Sequence, residues 1–103
     1  MTFRCEIADF SELASLLTQD EVSRMLDEVA NHILVAALCV DDSGLLPMVR
    51  RELGERANAA LSDCLSYAQK LLAQNELSQY ECEYAQAEIV RLVNEEGVLL
   101  EVQ

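Results

Sequence analysis

Three times in this sequence a Ser, Thr or Asp stands three residues ahead of a glutamate: Asp9 before Glu12, Thr18 before Glu21 and Ser78 before Glu81. In a capping box the first side chain accepts from the backbone N–H of the third helical residue, and the glutamate reaches back to the N–H of the first. Each such pair satisfies two of the donors that a helix start leaves unpaired. With three Gly and one Pro in 103 residues, little elsewhere interrupts a helical backbone. The chain is expected to be mainly α-helical.

Apolar spacing assigns the helices. Asp9 opens a short one running through Leu17, and Thr18 opens a long one from Gln19 to Val40. In the long helix Val22, Met25, Val29, Ile33, Ala36 and Val40 form one stripe, while Asp20, Arg24, Asp27 and Asn31 take the opposite face. Beyond Asn31 the opposite face turns apolar too, through Leu34, Val35 and Leu38. That half lies at the centre of the fold or meets another subunit, and these three residues are the expected self-association surface of a homodimer. The segment Asp41 to Gly44 reads as a turn, and Pro47 suits the first turn of a third helix reaching about Gln74. Its broad stripe, from Val49 and Leu53 through Ala57, Leu61 and Leu65 to Leu72, marks it as the central helix, with Gly54 a kink or a close approach. Ser78 opens a fourth helix to Glu96, with Cys82, Ala85, Ile89 and Val93 inward and Gly97 at its end. The alternating residues Thr2 to Ile7 and the segment Val98 to Val102 read as two short terminal strands that pair with each other. The expected architecture is one domain, residues 1–103, built as a small bundle of about four helices with two short strands at its ends.

Charge narrows the function. The chain carries 19 Asp and Glu against 7 Lys and Arg, a net charge of -12, while 51% of its residues are hydrophobic. The apolar content supports a core rather than a disordered acidic tail. The charge opposes general binding to nucleic acid or to an anionic membrane and leaves a basic protein as the natural partner. It is also unevenly placed: residues 1–47 are net -7, residues 48–74 net +1 and residues 75–103 net -6. On the fourth helix Glu81, Glu88 and Glu95 recur every seven residues, about 10.5 Å apart along the axis, bordered by Tyr80, Tyr84 and Arg91. Tyr and Arg are favoured interface anchors, and acids around them select a cationic surface. Asp20 and Asp27 begin a second acidic strip on the second helix. These eight residues are the expected partner-binding set; the alternative is a solvated face kept soluble by its charge.

Catalytic patterns are absent from the sequence. The single His32 stands four residues after Glu28, the spacing of a helical ligand pair, but the di-iron pattern needs Glu three before His, and that position is Val29. His32 is read as a border residue of the core, and neither metal nor cofactor is expected. No nucleophile elbow and no phosphate-cradling glycine loop occur. Cys5, Cys39, Cys64 and Cys82 contain no C-x-x-C pair, and with no charged and apolar leader after Met1 they are expected to be reduced, mostly buried thiols of a cytosolic protein. The longest apolar run, Ile33 to Val40, is too short to span a bilayer. Six Arg against one Lys suggest a GC-rich bacterial or phage genome.

The expectation from these features is a small acidic cytosolic binding protein, not an enzyme. Its role would be to inhibit a basic nucleic-acid-handling partner by contact, as anti-CRISPRs, immunity proteins and antitoxins do. The alternative is a self-assembling scaffolding subunit whose acidity confers only solubility.

Overall fold

The computed structural model describes residues 7–41 and 43–95. They are mainly helical: a 3-10 turn at Phe10–Glu12 leads into α1 (Leu13–Leu16), followed by α2 (Gln19–Glu28), α3 (Asn31–Leu38), α4 (Leu45–Glu52), α5 (Glu55–Ala73) and α6 (Gln79–Glu95). The expected terminal strands and Gly97 lie outside the described residues, save Ile7, which has no regular structure. Even so, Ile7 is clasped. Its N–H donates to Asn94 Oδ1 at 3.0 Å and its carbonyl accepts from Asn94 Nδ2 at 2.9 Å, so one amide on α6 pairs both backbone groups.

Two of the three predicted capping boxes form as drawn. Thr18 and Glu21 exchange bonds of 2.9 and 3.2 Å at the start of α2, and Ser78 and Glu81 exchange bonds of 3.3 and 3.1 Å at the start of α6. Asp9 instead accepts from Ser11 N–H at 3.4 Å and caps the 3-10 turn. Gly44 begins α4 with φ +93°, a left-handed conformation that disfavours side chains with a Cβ.

The second and third helices expected from the sequence are each broken, which is why six helices stand among the described residues where about four were expected. Between α2 and α3, Val29 and Ala30 are extended, with ψ of 130° and 143°. Neither Gly nor Pro sits there, so packing rather than propensity sets the bend. α2 packs chiefly on α4, whereas α3 packs on α6 and α5, and one straight helix cannot serve both neighbours. The second break falls at Leu53 and Gly54. Nothing lies within 4 Å of where a Gly54 Cβ would stand, so this glycine marks the break and not a close approach. Asn58 secures it: Nδ2 donates to the carbonyls of Arg50 at 2.9 Å and Leu53 at 3.1 Å, while Arg50 Nη1 donates to Asn58 Oδ1 at 3.3 Å. Arg50 is therefore a structural residue at the α4–α5 joint.

The core runs from Phe10, Leu13 and Val22 through Met25, Leu34, Leu38, Leu45 and Val49 to Leu61, Ile89 and Val93. Its centre is α3, not the helix expected there from the stripe at residues 47–74. α5 buries Leu61, Leu65 and Ala68 against α3 and leaves most of its surface in water. Among the described residues α3 and α6 form the most extensive contact, reinforced where Gln86 Nε2 donates to the Ala37 carbonyl at 3.0 Å near the end of α3.

Candidate protein-recognition surfaces

α6 presents two opposite faces. Cys82, Ala85, Ile89 and Val93 are buried, and the helical repeat places Tyr80, Tyr84, Ala87 and Arg91 on the far side, in water. Tyr80 is 74% exposed and Tyr84 64%, one turn apart. The acids around them are not equivalent. Glu81 is exposed but engaged in the cap of its own helix. Glu88, Arg91 and Glu95 form an intrahelical ion network: Arg91 Nε donates to both Glu88 carboxylate oxygens at 3.2 Å, and Nη1 donates to Glu95 Oε2 at 2.6 Å. The hydrogen bond from Arg91 holds the Glu88 carboxyl below its ordinary value, and the Glu88 and Glu95 carboxylates push the Arg91 guanidinium up. The network is net negative by one charge and preformed in shape, with its outer edge open to solvent.

Beside it lies a groove of about 440 Å³ between α6 and the segment before the 3-10 turn, lined by Asp9, Phe10, Glu83, Ala87, Val90 and Arg91. Asp9 and Glu83 give it two further carboxylates. Glu83 sits off the seven-residue line and Asp9 comes to α6 only through folding, so neither is marked by the sequence pattern. Asp20 and Asp27 are exposed on α2, but among the described residues no hydrogen bond or ion pair links them to the α6 strip.

Of the three residues expected to drive self-association, Leu34 and Leu38 are buried in the chain's own core. Their apolar face is spent on α6 and α5, which resolves the greasy half of the long helix as the centre of the fold. Val35 is half-buried and lines a second, more apolar groove between α3 and α5, of about 540 Å³, with Tyr67, Leu71 and Leu77 around it and His32 and Asp63 also in its lining. A smaller, more enclosed extension of about 250 Å³ continues past Val35 and Cys64 to Leu53, Ala57, Ala60 and Leu61.

The break at Val29 and Ala30 puts Glu28 on α2 and His32 on α3, so their four-residue spacing no longer makes them neighbours on one helix. Among the described residues no group of three or more His, Cys, Asp or Glu side chains is gathered in a way that could hold a metal ion, and no helix is long and apolar enough to cross a membrane. Asp41 accepts from Ser43 N–H at 2.8 Å, which makes its segment a self-bonded turn.

The described residues form a small, mainly helical structure on an acidic chain, with exposed tyrosines and open apolar grooves. No known protein family, curated protein or solved structure matches the chain.

Proposed function

We propose that the chain is a binding protein whose outward α6 face docks a basic protein and, by occupying that cationic surface, inhibits its work on nucleic acid. The observation that carries this reading is the pair Tyr80 and Tyr84, 74% and 64% exposed on the face of α6 turned away from the core. Large aromatic rings left in water are disproportionately interface anchors. Here they stand among Glu81, Glu83, Glu88 and Glu95 on a chain of net charge -12, so the complementary surface is cationic. A protein that handles nucleic acid carries such a surface by necessity.

The test is affinity capture of the basic partner from the native cell by wild type, Tyr84→Ala and Glu83→Lys. Wild type should retain a basic protein, and each variant should retain it at least about tenfold more weakly while keeping its helical content. Equal retention by all three would remove α6 from the account. A second reading, a scaffolding subunit that assembles with its own copies, is favoured by one observation, the open apolar groove between α3 and α5.

A further inference from the structure

Cys39 and Cys82 stand 43 positions apart in the sequence, and folding puts their sulfurs 3.6 Å from each other. Cys39 caps the end of α3 and Cys82 lies in the first turn of α6. The packing of these two helices holds the thiols in contact, and two hydrogen bonds fix the local geometry: Gln86 Nε2 on the Ala37 carbonyl at 3.0 Å, and Cys39 Sγ on the Ala36 carbonyl at 3.2 Å. Burial then decides which chemistry the pair can undergo. Cys82 has no exposed surface and Cys39 keeps 9%. Alkylation adds atoms, for which a close-packed core has no room. A disulfide adds none: two hydrogens leave, and the sulfurs draw in to about 2.05 Å.

We propose that Cys39 and Cys82 form an oxidation site, which a peroxide closes to a disulfide tying the end of α3 to the first turn of α6. The order of events follows exposure. Cys39, at the edge of the core, ionises, and its thiolate attacks one oxygen of hydrogen peroxide. The O–O bond breaks, leaving a sulfenic acid on Cys39 and a hydroxide that takes up the released proton as water. The Cys82 sulfur then attacks the Cys39 sulfur, the S–O bond breaks, and the departing hydroxide leaves with the Cys82 proton as a second water. Two thiols and one peroxide thus give one disulfide and two waters. Burial and the hydrogen bond with Cys82 keep the Cys39 thiolate scarce at neutral pH, so the first step sets the rate. The closed loop takes in α4 and α5, which constrains the unfolded chain and stabilises the fold. Tyr80 and Tyr84 are exposed on the opposite side of α6, so closure leaves that face open and stands or falls separately from the binding of a basic partner.

The experiment treats the folded full chain with hydrogen peroxide at several pH values from neutral to mildly alkaline and removes the excess with catalase. The chain is then unfolded in urea with iodoacetamide, and its peptides are mapped by mass spectrometry without reduction. The expected product is a single chain lighter by two hydrogens, with the Cys39 and Cys82 peptides joined, formed about tenfold faster for each unit of pH as the thiolate fraction grows. Its urea midpoint should lie above that of the reduced chain. Cys64→Ser, at an exposed position on α5, should form the same bond at the same rate. A folded chain in which Cys64 is oxidised while Cys39 and Cys82 stay free thiols, a bond from either of them to Cys5 or Cys64, joining that occurs only when urea precedes the peroxide, or a joined chain with a lower urea midpoint would each overturn the proposal.

Discussion

At the scale of single residues, the three described cysteines separate cleanly by environment. Cys39 and Cys82 are buried with their sulfurs 3.6 Å apart, and the Cys39 thiol also donates to the Ala36 carbonyl at 3.2 Å. Burial first, and then the hydrogen bond with Cys82, push the Cys39 thiol from its ordinary 9.0 up to about 12. Because its folded value is raised, the stabilisation it contributes is complete below about 9 and is lost as the pH climbs towards 12. The thiolate is the reactive species, so Cys39 is chemically quiet at neutral pH. Cys64 is exposed at the middle of α5. An alkylating reagent applied to the folded chain at neutral pH should label Cys64 and spare Cys39 and Cys82 until denaturant is added. Peptide mass spectra with Cys39 labelled as fast as Cys64 in the folded chain would contradict this placement.

At the scale of elements, what the sequence discloses depends on how local the cause is. The starts of α2 and α6 were legible because Thr18 with Glu21, and Ser78 with Glu81, satisfy backbone donors within one turn. The ion network at Glu88, Arg91 and Glu95 follows from three- and four-residue spacing, and Tyr80 and Tyr84 from their position opposite the apolar face. The bend between α2 and α3 was not legible, whereas Gly54 already marked the other as a kink or a close approach. Val29 and Ala30 have no intrinsic reason to leave the helix; their conformation is imposed by neighbours distant in sequence. The same holds for the place of α5, whose wide apolar stripe reads as a centre although α3 fills that role. Its groove was missed for the related reason that its walls come from two helices. The α4–α5 joint has a local cause after all, in Asn58, whose amide holds two carbonyls freed by the break. Asn58→Ala should leave the Leu53 carbonyl short of a partner, while the Arg50 carbonyl keeps the Leu53 N–H at 3.3 Å, and should cost about 1–3 kcal/mol, visible as a lower urea midpoint with little change in slope. An unchanged midpoint would mean that packing alone holds the joint.

At the scale of the whole molecule, the charge of -12 acquires a direction. Acidic residues with exposed tyrosines lie along α6, while α5, at the other side of the central α3, is electrically neutral and opens an apolar groove. Contact with a cationic partner through α6 should weaken as salt rises. The most direct test of the central claim, that α6 recognises a basic protein, is a calorimetric titration of the captured partner with wild type and with the Tyr80→Ala, Tyr84→Ala double variant at several salt concentrations. The account predicts an affinity that falls steeply with added salt and, at every salt, at least about tenfold weaker binding by the double variant. An affinity that is flat in salt and equal for the two proteins would contradict it.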